Sequence, residues 1–145
     1  MGVYTRFKKN PDGLRQLVEL LETTPISRRQ KMIDVGMEED PVYTKKALEY
    51  VMTFEDVIKL PDMELADLLS ETPAKFTAYA IHAQSEEVKK RFLEKATPRV
   101  SIEMKEFMKE SNLTAVQSGA GQMKMIEYMR KLEKRGLIKT KKIPA

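Results

Sequence analysis

Apolar side chains recur along this chain at steps of three and four residues. Leu14, Leu17, Val18 and Leu21 make one stripe, Leu65, Leu68 and Leu69 another, and Val88, Phe92 and Leu93 a third. Val100, Met104, Phe107, Met108 and Ser111 share a further face, and Val116, Ala120, Met123, Ile126, Met129 and Leu132 mark a last, longer one that stops at Gly136. Such steps collect residues on one side of an α-helix of about 3.6 residues per turn. No alternating pattern of the kind a half-buried strand shows precedes Leu137-Ile138, which is expected to run extended.

The polar punctuation between these stripes predicts where the helices begin. Five prolines follow a residue that caps helices: Asn10-Pro11, Thr24-Pro25, Asp40-Pro41, Thr72-Pro73 and Thr97-Pro98. A capping oxygen takes up an orphan N–H, and proline at the first helical position forfeits no bond because that N–H is unpaired anyway. Leu60-Pro61 is a sixth start, with Asp62 and Glu64 placing negative charge in the first turn, where the helix dipole favours it. Ser85 caps the Val88 stripe, and Glu38-Glu39-Asp40 suits the helix N-terminus at Pro41. Gly119-Ala120-Gly121 predicts a frayed or bent helix start near Ser118, or close packing against a neighbour, since each glycine costs a helix about 1 kcal/mol. The reading is all-α: six to eight short helices on two- to five-residue turns, which suit an armadillo-like, superhelical stack rather than a long bundle.

Composition narrows the classes. A chain of 145 residues, 41% hydrophobic and 33% charged, can bury a core and is neither collagenous nor disordered. No apolar run approaches the roughly 18 residues that span a bilayer, and Met1–Arg6 lacks the apolar stretch of a signal peptide. The absence of cysteine excludes disulfides, a thiol nucleophile and thiolate metal sites, which suits the cytoplasm. His82 is the sole histidine, without metal-ligand spacing around it, and no catalytic constellation appears, so neither an enzyme nor a metal or cofactor is expected. The net charge of +4 resides in the end of the chain: residues 130–145 carry +6 and residues 1–129 carry −2. Most of the methionines sit on stripes and read as core, while Met125 and Ile102 fall off theirs as candidates for exposed apolar contact.

From about Gly13 to Ile138 the order of helices resembles the C-terminal half of the flagellar motor switch protein FliG. Val51-Met52-Thr53-Phe54-Glu55-Asp56-Val57-Ile58-Lys59-Leu60 is similar to that family's Met-Phe-X-Phe hinge and the helix after it, with Thr53 at the first Phe. Leu68-Leu69, Ala78-Tyr79-Ala80-Ile81-His82-Ala83 and Ser85 to Leu93 resemble the helices before its charged torque helix, and Met129 to Ile138 resembles its closing segment. The resemblance implies an armadillo-like segment over 1–50, a hinge and connecting helix over 51–60 turning at Val51, Met52, Thr53 and Phe54, a six-helix subdomain over 61–138 and a basic tail over 139–145. The family's N-terminal, ring-anchoring half has no counterpart in these residues, so this chain alone is not expected to transmit torque unless it is a fragment of a longer protein.

Behind Pro98, the residues Arg99, Glu103, Glu106 and Glu110 lie in one line along a helix. Exposed charge pairs contribute roughly 1 kcal/mol or less each, so a partner reading such a line can bind and release repeatedly. In the family such a line works against the stator's cytoplasmic loop. Arg99 and Glu106 fall at two of its charged positions, whereas Phe107, Ala115 and His82 stand at three others, His82 where the family has a lysine. The resemblance also implies a stacking or switch-partner surface at Gly13, Leu17 and Leu21, Gly13 standing at the family's Gly-Gly turn. The implied partners are a FliM-like switch protein, a MotA-like stator or another copy of the chain, with no small-molecule substrate. Alternatives are a FliG-like paralogue with a scaffolding role, an ion sensor like the cytoplasmic domains of magnesium transporters, or a non-specific, salt-sensitive contact of the basic tail with nucleic acid.

Overall fold

The computed structural model describes residues 3–110 and 112–144, Val3 by its backbone alone. Ser111, assigned above to an apolar face, lies outside the described residues. Ten α-helices and no strand occur among them: α1 (Val3–Lys9), α2 (Gly13–Thr23), α3 (Ile26–Glu39), α4 (Pro41–Tyr50), α5 (Phe54–Ile58), α6 (Asp62–Glu71), α7 (Ala74–Ile81), α8 (Glu86–Lys95), α9 (Pro98–Met108) and α10 (Ala115–Lys134). The class is all-α.

Local chemistry accounts for most helix starts. Asp40 and Thr97 cap α4 and α9 by accepting from Tyr43 N and Val100 N, each with proline at the start of the helix, and the Ser85 hydroxyl accepts from Val88 N at the start of α8. Pro25, Pro61 and Pro73 stand immediately before α3, α6 and α7. The helix count exceeds the six to eight expected because α1 and α5, of seven and five residues, are too short to show a repeating stripe. The fraying expected near Ser118 does not occur: α10 begins at Ala115, where Thr114 and Gln117 satisfy each other's backbone N–H in a capping box.

The chain divides into two compact units: the described residues of Met1–Met52 with those of Lys141–Ala145, and Thr53–Thr140. In the first unit α1 packs on α2 and α4, and α4 on α2 and α3. Its core gathers Tyr4, Leu17, Val18, Leu21, Tyr43, Ala47, Val51 and Ile143. Tyr4 fastens α1 to α3 through its hydroxyl, which donates to Met32 O, and its amide, which donates to the Glu39 carboxylate at 2.7 Å. Gly36 makes room for that ring, since a Cβ there would lie 2.4 Å from Tyr4 Cζ. The buried Glu22 carboxylate accepts from Met52 N at 2.8 Å, closing the unit at its end.

The segment after residue 139 is not a free basic tail. Lys139 N donates to the Glu64 carboxylate of α6, while beyond Thr140 the chain joins the first unit. There Ile143 is buried, Lys141 Nζ donates to Val51 O at 2.8 Å, and Arg15 Nη2 donates to Ile143 O. Ile143 is the apolar residue that makes this stretch part of a core.

The second unit holds six helices, α5 to α10. The long α10 packs against α7, α5 and α6, α9 packs against α7 and α8, and α6 against α8. With three helices around it α10 buries more than one stripe. Met125, expected at the surface, is fully buried, and Val116, expected on the buried stripe, is 81% exposed because it precedes the packed region. Gly121 sits flush on α7, where a Cβ would come 2.5 Å from Phe76 O and 2.7 Å from Ala80 N. Arg130 and Glu133 form a buried ion pair at 2.8 Å on the same helix. Arg91 of α8 grips the turn between α5 and α6: its guanidinium donates to Ile58 O at 2.7 Å, to Leu60 O, and to Asp62 Oδ1 at 3.0 Å. Arg91, and then Lys95, holds the Asp62 carboxyl below the usual carboxylate range.

Candidate protein-interaction surfaces

The charged row on α9 is held by what lies beneath it. Met104 is fully buried, and Phe107, at a position where the resemblance has an acid, sets its ring edge-on against Tyr79 of α7 at 6.4 Å between centroids. With its base anchored and its start capped by Thr97, α9 presents Arg99 with its side chain 90% exposed, the half-buried Glu103, and the exposed Glu106. Arg99 Nε and Glu103 Oε1 are 3.3 Å apart, so these two pair along the helix, and Glu106 extends the negative end of the row. Glu110 is exposed just past the helix, its amide donating to Phe107 O at 3.2 Å. Ser101, Lys105 and Met108 of α9 also line a groove with α8, whose charges there are mixed: Lys89 pairs with Glu86 and Lys90 with Glu94.

His82 does not join the row as a free surface group. It ends α7 as a half-buried residue, its amide donates to Ala78 O, and its Nε2 is enclosed with no hydrogen-bond partner among the described residues. The residues expected on a stacking surface lie in the core instead. Leu17 and Leu21 are 1% and 0% exposed and Gly13 is buried, because all three point into the core of the first unit, with a Cβ at Gly13 clashing with Phe7 O. An apolar groove of about 620 Å³ opens on the other side of α2, lined by Tyr4, Leu20, Pro25, Met32 and Val35, with Arg28 among its lining residues. Leu20 is the residue whose position carries the missed signal: a leucine beside the Leu17/Val18/Leu21 stripe widens the apolar arc past what one core face needs.

At the expected hinge, the division between the units falls between Met52 and Thr53. Val51 and Met52 are buried. Thr53 opens the second unit as the cap of α5, in a capping box with Asp56, and Phe54 lies tilted against Phe92 at 6.3 Å. Among the described residues no helix is long and apolar enough to cross a membrane, and no group of three histidine or carboxylate side chains converges as a metal site would need.

Comparison with known proteins gives these surfaces a setting. The FliG C-terminal domain family matches residues 37–139. The flagellar motor switch protein FliG of Thermotoga maritima is 25% identical over 140 residues, covering 94% of this chain and 41% of the relative. FliG of Aquifex aeolicus is 27% identical over 90 residues, covering 62% of this chain and 27% of its own length. The chain thus spans less than half the length of these relatives. Among solved structures, FliG residues 86–343 from H. pylori shares the fold with a TM-score of 0.64 at 21% identity, over 95% of this chain and 66% of that one. Full-length FliG of Aquifex aeolicus gives 0.55 at 23% identity, over 88% and 40%. With the family match running from α3 through α10 and past Ile138, the chain belongs to the FliG C-terminal domain family.

Proposed function

We propose that this chain is a non-enzymatic protein-interaction module of a flagellar rotor switch, acting at the cytoplasmic face of the membrane. The observation that carries the reading is the row Arg99, Glu103 and Glu106 on α9, whose Met104 is buried, with Glu110 exposed just beyond the helix end. Exposed ion pairs in water are individually weak and screened by salt. A stator-type partner loop meeting this row therefore engages and releases without a large barrier, as a stepping contact requires. The apolar groove on the first unit serves a different kind of partner, a helix of a FliM-like switch protein or of another copy, through burial of Leu20, Met32 and Val35. The segment 51–54 is read as the hinge between the two units.

The test is a titration of the chain with the cytoplasmic loop of a MotA-like stator at low and at physiological salt. Reversing both signs, Arg99→Glu with Glu106→Arg, should weaken binding about tenfold at low salt, less at high salt, and leave helicity unchanged. Binding that is indifferent to the double reversal and to salt removes this assignment.

A further inference from the structure

The C-terminal end of α10 carries a hollow of about 440 Å³ that lies wholly within the second unit. Tyr128 and the buried Leu132 give it apolar wall, while Lys131, Lys134 and Arg135 give it three cations. Glu71 of α6 is the one carboxylate among its lining residues, paired with Arg135 at 3.2 Å, so three positive charges against one negative leave a surplus of +2. The Lys131 ammonium lies over the Tyr128 ring, 4.9 Å from its centroid, which joins charge to apolar surface. Cations at a helix C-terminus ordinarily serve the helix dipole. That service needs charge alone, whereas these cations share a hollow with an aromatic ring and a leucine.

The same unit presents a side chain of matching chemistry. Ile102 of α9 is 59% exposed, with Glu106 one turn along on the same side, Glu103 beside it, and Lys105 on the other flank. Met63 of α6 is more exposed at 82%, but its acidic neighbours are engaged, Asp62 by Arg91 and Lys95 and Glu64 by Lys139 N. We infer that the hollow takes α9 of a second copy of this chain: Ile102 enters against Tyr128 and Leu132, Glu103 and Glu106 face Lys131 and Lys134, and Lys105 faces Glu71. Both the acidic pair and the lysine pair are three residues apart, about 4.5 Å along a helix, so helices lying side by side match them. Knob and hollow are different surfaces, so the contact is heterologous and can repeat from copy to copy. One helix face in one hollow buries less than the roughly 1,200 Å² of a stable interface, which makes the association weak and salt-sensitive. The hollow plays no part in the stator contact, but both contacts use Glu106, so a second copy and a stator loop exclude one another on α9.

The experiment is sedimentation velocity of the full chain over a concentration series reaching about 1 mM, at low and at physiological salt. Reversible self-association is expected at low salt and should weaken about tenfold at physiological salt. Lys131→Glu with Lys134→Glu, and separately Glu103→Lys with Glu106→Lys, each checked for retained helicity, should weaken it about tenfold or more. Mixing the two variants should restore association, because each then meets the sign it lacks. The reversal at Lys131 and Lys134 should leave a titration with a stator loop unchanged, so loss of one contact is told apart from loss of the other. A chain that stays monomeric throughout, association indifferent to both reversals, or a mixture that fails to regain it overturns the second copy as occupant. Salt-sensitive binding of a monomeric chain to phosphatidylglycerol vesicles, lost on reversing Lys131 and Lys134, overturns it in favour of an anionic lipid surface.

Discussion

The two units expose opposite kinds of surface. The first is tied together by tyrosines and leucines and leaves an apolar groove at its surface, between α2 and α3. The second buries its apolar residues around α10 and offers a row of charges on α9. Apolar burial yields contact that persists and is nearly indifferent to salt, whereas exposed ion pairs yield contact that is weak, reversible and screened. On the proposed reading, one surface suits a partner that stays attached and the other a partner that lets go. The core of each unit has to be independent for the two to be tuned separately.

The strongest way to break that comparison is to damage one core and look at the other. Gly121→Leu drives a side chain into the backbone of α7 at Phe76 and Ala80, which cannot give way, so the second unit should lose on the order of 3 kcal/mol or more. Hydrogen exchange should then accelerate across α5 to α10 and stay unchanged in α2 and α4. Loss of protection in both units together would mean that they are one cooperative block. Leu17→Ala is the converse cut, expected to cost about 2–5 kcal/mol through the cavity left in the first core, read as earlier denaturant unfolding of that unit alone.

Surface changes should move binding rather than folding. Val35→Asp at the edge of the groove is expected to alter stability by no more than about 0.5 kcal/mol, yet to abolish salt-insensitive binding of a helical partner in a titration. An unchanged affinity would take the groove out of the comparison. The smallest expected effect is alkaline. Burial, and then Glu39, pushes the Tyr4 hydroxyl above its ordinary value, and burial, then Asp40, does the same to Tyr43. A raised folded value means that these tyrosines support folding fully below their unfolded value near 10.0 and lose that support as pH rises through the folded one. A thermal scan followed by hydrogen exchange should show the first unit weakening from about pH 10 upward.

Much of this architecture was legible in the residues because it is local. An Asp40-Pro41 or Thr97-Pro98 pair satisfies its orphan amides within one turn, so those two helix starts are visible without any knowledge of neighbours, whereas Thr24 and Thr72 cap no helix start and donate back to Leu20 O and Leu68 O. The spacing of Arg99, Glu103 and Glu106 on α9 was legible for the same reason, whereas the helix ends at Met108, before Glu110. What could not be read is what depends on who packs where. Met125 is off its stripe by spacing and fully buried by the presence of a third helix against α10. Leu17 and Leu21 sit where a stacking surface was expected, yet the same spacing that made them a stripe turns them inward. Ile143 follows a run of lysines and threonine that reads as solvated, and only its long-range partners make it core. His82 sits at a position aligned with a lysine, but a ring at a helix end with Nε2 enclosed cannot stand in for a flexible cation.

The grip of Arg91 on the turn between α5 and α6 has a consequence for how far such a chain can diverge. Two of its three acceptors are main-chain oxygens, at Ile58 and Leu60, and every amino acid supplies the same oxygen. Mutation can rewrite the side chains of that turn over generations without loosening the clasp, provided the arginine itself persists.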